Sequence, residues 1–414
     1  MISINAERLL ADLSALARIG AEADGGVTRL AYTPAEQQAR TWFIRRARQA
    51  GLTVSVDDAG NALALEPQAG GVPPILSGSH LDTVPRGGRF DGMLGVVAAL
   101  EAVRAVREHD KMTQERRPLG VLALAAEESS RFGVACLGSQ MLAGLLPEAA
   151  LHTLQDAQGV TLLDAMKGAG LQPQPLHKIQ RPRGWFHEFV ELHIDQSDEL
   201  AQADVALGLI TGIAAPTRLR IELRGRASHS GSTPMEQRQD ALVGAAEIIL
   251  AVERAAMARR QQGVVGTVGI LHVEPNAMNV VPGRAELGVD IRGIDEASIQ
   301  ETVQQIEQAT TEIAQKRGLR ATISVTSRSK PQRISQERVD ALARVCQALG
   351  VAARPMVSRA GHDAMYLAAL GPVSMLFVRN PAGVSHNPAE FARDEDIVAA
   401  TTVLAAYLAQ RAMA

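Results

Sequence analysis

With 414 residues, 46% of them hydrophobic and 21% charged, the sequence is that of a globular protein too long for one hydrophobic core, so two domains are expected. A net charge of −3 and an aromatic content of 3% offer neither a basic field for phosphate backbones nor a platform for stacked bases, which argues against a nucleic-acid partner. No apolar run reaches the roughly 18 residues of a membrane span, and Met1 to Leu10 carries Asn5, Glu7 and Arg8 where a signal peptide would be apolar, so no membrane partner and a cytoplasmic location are expected.

In chain order, apolar positions recur at helical spacing over 5–19 and 34–50, the second opening on Thr33, Pro34 and Glu36 as N-cap, first-turn proline and early acid. Segments 52–57 and 62–66 alternate as strands do. Segment 74–80 is a buried strand ending on His80, 92–108 is a helix, and 119–126 is an apolar strand that stops at Glu127-Glu128. A further strand, 188–194, brings His193 to its end. In an open α/β sheet the loops beyond the strand C-termini form the ligand crevice, so His80, Asp91 and the glutamate pair are expected on one edge.

The pattern then changes. Strand 217–223, helix 240–259, strands 266–273 and 285–291, helix 298–317 and strand 320–326 form a β-α-β-β-α-β unit, the ferredoxin-like arrangement. Such a unit closes on itself and reads as an insertion. The expected organisation is therefore an α/β protein with a first domain of 1–210 and 330–414 and an inserted domain of 211–329. Helix 336–349, strand 374–378 and helix 395–411 complete the first domain, with His386 in the loop before the last helix. Cys136 and Cys346, outside any CxxC or Cys/His cluster, read as buried small hydrophobes.

Several of these residues suit metal chemistry. His80 and Asp82, two apart on an extended segment, project to one side, as ligand and orienting carboxylate or as a loop histidine and a helix cap. Asp91 stands between Phe90 and Gly92, able to approach a cation or to cap the following helix. Two adjacent carboxylates at the end of a buried strand repel unless a cation or a proton compensates; one can ligate while its neighbour, pointing elsewhere, acts as a base. With His193 and His386 the set has the imidazole and carboxylate donors that zinc, manganese or cobalt prefer, and it suffices for two ions if Asp91 bridges.

Across segments 78–85, 88–92, 127–132, 191–196, 228–235, 275–283, 360–364 and 385–390 the chain resembles the M20 family of metallopeptidase-like hydrolases. Within it, the likeness is to the hydantoinase/carbamoylase amidases: N-carbamoyl-L-amino acid hydrolases, β-ureidopropionase and allantoate amidohydrolase. The resemblance implies a two-domain di-metal hydrolase whose inserted domain serves as lid and dimerisation domain of a homodimer. Two divalent ions, zinc or manganese with cobalt or nickel as further options, would be held by His80, Asp91, Glu128, His193 and His386. Glu127 would be the general base, with Asp82 in the catalytic set. His229 would reach across the dimer interface to the oxyanion. Gln196, Asn279, Arg292 and His362 would contact a small ureido substrate bearing a carboxylate. As alternatives, Asn279 is a turn residue, Arg292 a solvated strand end, and His362 a support behind the ligands. A histidine at 193, where many relatives carry a carboxylate, favours carbamoylase over aminoacylase or peptidase. The chain departs from the family at Asp195-Gln196-Ser197-Asp198 and His229-Ser230-Gly231-Ser232, which touch substrate specificity rather than the metal set.

Overall fold

In the computed structural model, which describes residues 2–67, 71–109 and 116–413, the chain divides into two compact units. Met1 and Ala414, the outer ends of the expected first domain, lie outside the described residues. One unit holds the chain up to Thr211, Ile334–Met356 and the chain from Gly361; the other holds Gly212–Arg333 and Val357–Ala360. The second unit thus runs past the expected 211–329 and takes in a segment around Arg359 that no pattern in the sequence singled out.

In the first unit the strands Leu119–Leu124, Ile75–His80, Glu188–Ile194 and Val373–Val378 lie side by side in that order, all parallel. Every residue of the four is buried, which is why Leu119–Leu124 reads as an unbroken apolar run, while polar residues in the others find partners inside, Ser77 donating to the carbonyl of Val190 and Ser79 to Glu191. Ala62–Leu65 and Thr53–Val56 extend one edge antiparallel, and Leu207–Ile213 extends the other. The helix Met93–His109 packs on Ile75–His80 and Glu188–Ile194 and is buried almost all round. The helix Pro34–Gln49 starts as its sequence dictates, with the Thr33 side chain capping the amide of Glu36.

Parallel strands place their C-terminal ends on one edge. His80 is the last residue of its strand, Glu127 and Glu128 follow Leu124 closely, His193 is one residue from the end of its strand, and the His386 loop leaves Val378. Both cysteines are buried and free of disulfides. Among the described residues no helix is long and apolar enough to cross a membrane.

The second unit has strands Ala215–Arg224, Val265–Glu274, Arg284–Gly293 and Arg320–Arg328 with helices Ala241–Ala258 and Glu296–Arg317. The strands are antiparallel in the spatial order fourth, first, third, second, the ferredoxin-like order that the β-α-β-β-α-β pattern implies. Alternate residues face the helices, and Leu219, Ile221, Leu223, Leu287, Ile248 and Ile306 build a core there. The opposite face carries charge, with Arg220 paired to Glu286 and Arg284 to Glu222, each at 2.6 Å.

Candidate metal centre

Asp91 sits at the focus of the first unit's strand ends. Its Oδ1 lies 3.3 Å from His80 Nε2 and 3.2 Å from His193 Nε2, while Oδ2 lies 3.5 Å from His386 Nε2. His386 Nε2 is in turn 3.4 Å from Glu128 Oε1. Two sets of donor atoms result, each gathered within 4.8 Å: His80, Asp91 and His193, and Asp91, Glu128 and His386. Either set could hold a metal ion, and Asp91 belongs to both. The Asp91 carboxylate accepts from Gln196 Nε2 and Ser385 Oγ, each at 3.0 Å, rather than from amides of the following helix, so the capping alternative is not the one realised.

His80 and His193 present Nε2 because their other ring nitrogens are occupied. His80 Nδ1 lies 3.0 Å from the carbonyl of Asp82, and His193 Nδ1 lies 2.9 Å from the carbonyl of Ile194. This differs from the expectation that the Asp82 carboxylate orients His80. That carboxylate accepts the amides of Glu127 and Glu128 instead, at 3.1 and 3.0 Å, and so pins the end of the neighbouring strand. The two glutamates then diverge: Glu127 Oε2 comes within 3.7 Å of His80 Nε2, while Glu128 faces His386. Gly92, at φ 66°, closes the loop, and a Cβ there would overlap the His80 imidazole.

The charges show what the cluster lacks. Burial opposes a charged imidazole at His80, yet Glu127, Asp91 and Asp82 together outweigh it and raise its pKa well above the ordinary value. Burial likewise opposes charge at His193, and Asp91 overcomes it, lifting the imidazole to about 9. Burial above all, with the charges of Asp82 and Asp91, pushes Glu127 up to about 7; burial and the Glu127 charge push Glu128 up as well. Imidazoles that attract protons beside carboxylates that retain them mark a site short of positive charge, which a divalent cation supplies.

Gln196 and His362 also belong to this unit. The Gln196 side chain bonds Asp91 through Nε2 and leaves a buried Oε1 without a partner. His362 is buried behind His193, ring centroids 4.6 Å apart, and also packs edge-on against Phe377. The remaining predicted residues lie in the second unit. His229 and Asn279 are brought together there: Ser230 N donates to Asn279 O at 3.0 Å, and His229 stands opposite Val280 in a short ladder. His229 Nδ1 accepts the amides of Gly231 and Ser232, which fixes the proton on Nε2 and makes that nitrogen a donor. Arg292 bonds Asp290 at 2.9 Å and the carbonyl of Arg359 at 3.2 Å, which leaves one free N–H on each terminal nitrogen.

Three residues to which the sequence assigned no role at the site touch the cluster. Cys136, expected as a plain small hydrophobe, is buried but donates its thiol to Glu127 Oε1 at 3.2 Å. Ser385 and Glu390 hold the Asp91 loop. Their position on either side of His386 is the signal that could have drawn attention to them.

Comparison with known proteins gives a consistent result. The description "Peptidase family M20/M25/M40" matches residues 76–410. The chain is 39% identical over 405 residues to an N-carbamoyl-L-amino acid amidohydrolase of Geobacillus stearothermophilus, covering 97% of both chains. It is 34% identical over 389 residues to a ureidoglycolate hydrolase of Oryza sativa subsp. japonica, covering 93% of this chain and 80% of the relative. A solved amidase of the hydantoinase/carbamoylase family from Burkholderia multivorans matches with a TM-score of 0.88 at 34% identity, over 100% of this chain and 99% of the other.

Proposed function

We propose a function from the premise that the chain belongs to peptidase family M20/M25/M40: it is a metal-dependent amidohydrolase that removes the carbamoyl group of an N-carbamoyl-L-amino acid, giving the amino acid, ammonia and carbon dioxide. The observation that carries this reading is the double use of Asp91, which offers one carboxylate oxygen to His80 and His193 and the other to His386 and its neighbour Glu128. The donor set fits two divalent ions, zinc or manganese with cobalt or nickel as further options, one per group with Asp91 shared. When bound, such ions acidify a water and polarise the carbonyl to be attacked.

The chain's own residues do the rest. Glu127 takes the proton of the attacking water and passes it to the leaving nitrogen, a role that its Oε2, turned towards the cluster beside His80, places it to fill. Asp82 keeps Glu127 and Glu128 in register through their amides. His229, with its proton fixed on Nε2, donates to the developing oxyanion from a second copy of the chain in a homodimer formed through the second unit, which also acts as lid. Asn279 and the free N–H groups of Arg292 hold the substrate carboxylate, Gln196 contacts the substrate, and His362 buttresses His193. The ureidoglycolate hydrolase relative supports a second reading, a ureido acid that is not an amino-acid derivative; allantoate belongs to that class.

Ammonia release from N-carbamoyl-L-amino acids, allantoate and ureidoglycolate, and new free amino groups from N-acyl amino acids and dipeptides, all measured after zinc or manganese reconstitution, test the proposal. Carbamoyl amino acids are expected to be hydrolysed fastest. Glu127→Gln is expected to keep its metal and lose about 100- to 10,000-fold in kcat. Faster turnover of dipeptides, or an unimpaired Glu127→Gln enzyme, overturns it.

A further inference from the structure

The segment that carries His386 also grips the Asp91 loop from outside the ligand set. Glu390, 2% exposed, accepts the amides of Phe90 and Asp91 through Oε1, both at 3.0 Å. Its Oε2 lies 3.2 Å from Ser385 Oγ, and that same hydroxyl lies 3.0 Å from Asp91 Oδ2. Gly88 makes room for this contact, since a Cβ there would overlap the Glu390 carboxylate. Burying a carboxylate is costly, and here the compensation comes from the two amides, the single proton of Ser385 being shared between Glu390 and Asp91.

The two oxygens of Asp91 do not depend on this grip equally. Oδ1 lies between His80 and His193, both buried and each anchored by a backbone carbonyl of its own segment. Oδ2 faces His386, whose side chain is 48% exposed and whose backbone is left-handed at φ 55°. The ring of His386 makes no comparable backbone bond among the contacts described, and its loop is tied to Asp91 through Ser385 and Glu390.

We infer that Glu390 is a positioning residue that sets metal occupancy at the Asp91, Glu128 and His386 group while ligating nothing itself. The inference rests on the two-ion reading given above. Supporting groups of this kind alter metal affinity by about 10- to 100-fold when removed. Ser385 acts in the same direction with a smaller share, because it holds a single oxygen of Asp91. Glu390→Gln keeps a carbonyl that can accept the two amides but loses the charge, so its effect falls between wild type and Glu390→Ala.

The test is a zinc titration in competition with a chromophoric chelator, with zinc per chain counted by mass spectrometry. It compares wild type, Glu390→Gln, Glu390→Ala, Ser385→Ala and His386→Ala, the last marking which ion belongs to the His386 group. Wild type is expected to take two zinc ions. Glu390→Ala is expected to weaken one of them about 10- to 100-fold, the same one that His386→Ala loses, and to leave the other within threefold. Thermal unfolding in chelator checks that each variant is folded; if Glu390→Ala is not, Glu390→Gln and Ser385→Ala decide. Unchanged affinities in the folded variants, or equal weakening of both ions, overturn the inference alone. A wild-type protein that takes up no stoichiometric zinc or manganese overturns the two-ion reading and the inference with it.

Discussion

Glu127 and Glu390 of the first unit are buried, and burial pushes both up to about 7, whereas Glu222 and Glu286 of the second unit stand on the open face of a sheet and are held below the ordinary range by Arg284 and Arg220. Asp290 behaves like the latter pair: burial raises it, but Arg292 and Arg218 more than reverse the effect. The contrast separates two uses of the same functional group. A carboxylate that finds an arginine within its own sheet is already satisfied and contributes modestly to stability. A buried carboxylate crowded by other carboxylates is unsatisfied until it retains a proton or something positive arrives.

A matched pair of glycine substitutions tests that contrast with the largest expected effect. Gly92 and Gly263 both have left-handed backbones, at φ 66° and 76°, but a Cβ at Gly92 would overlap His80 whereas one at Gly263 meets open space. Gly92→Ala is therefore expected to displace a ligand, reduce bound metal and cut hydrolysis by at least about 100-fold. Gly263→Ala should cost only the left-handed strain, about 1–2 kcal/mol, with metal content unchanged. Metal analysis and denaturant unfolding of both variants decide; equal metal loss in the two would remove the distinction between the units.

Much of the first unit's site was legible because its ligands stop apolar runs. Leu119 to Leu124 is a buried strand in sequence and in structure, and Glu127-Glu128 breaks it with charges that have no structural reason to be there. The β-α-β-β-α-β order of the second unit was legible for a similar reason, since alternation in Ala215–Arg224 and capping by Asp240 and Asp295 are local. The strand Leu207–Ile213 was hidden by Gly208 and Gly212, and Ala353–Ser358 by Pro355, residues that single-sequence propensity counts against strands. Contacts such as Glu390 to the amide of Asp91, 299 residues away, leave no local pattern at all. The thiol of Cys136 is in the same position: Glu127 is close in sequence, but the loop between them folds back so that the Cys136 amide bonds the Glu127 carbonyl at 2.7 Å, a return no local pattern marks.

The pH dependence of stability in chelator is expected to have opposite signs in the two units. For Glu127 and Glu390 the folded pKa is raised above the ordinary 4.5, so their contribution is fully present below about 4.5 and is lost as pH rises through 7. For Glu222 and Glu286 the folded pKa is lowered, so their contribution is present above the ordinary value and is lost as pH falls below it. Hydrogen exchange in chelator should show the first unit gaining protection as pH drops from 8 to 6, after correction for intrinsic rates, and the second unit unchanged over that window. Zinc should flatten the first unit's trend, because ligands must shed protons to bind it. A first unit whose protection is flat in chelator would show that its carboxylates are satisfied without a cation.

A smaller effect is expected at Cys136. Burial keeps its thiol protonated, and that thiol holds Oε1 of Glu127 so that Oε2 is the oxygen turned towards His80. Cys136→Ala is expected to lower kcat by about 3- to 10-fold at unchanged KM, the loss of one hydrogen bond to a working carboxylate. Cys136→Ser, which keeps a donor, should recover most of it. Equal kcat in the alanine and serine variants would mean that the thiol only fills space.

The smallest effect should come from the second unit's charged face. Arg284 meets Glu222, Glu274 and Glu286 and is the most connected cation there, so by a count of contacts it ought to matter more than Cys136 with its single bond. Solvation and redundancy reverse that order. Its partners are solvated, salt screens them, and Arg220 and Arg224 remain to serve Glu286 and Glu222 when Arg284 is removed. Arg284→Ala is accordingly expected to cost no more than about 1 kcal/mol in denaturant unfolding, less at high salt, with kcat unaltered. What a carboxylate contributes is decided by whether water can replace its partner: on the open sheet it can, and at Asp91, 4% exposed, it cannot.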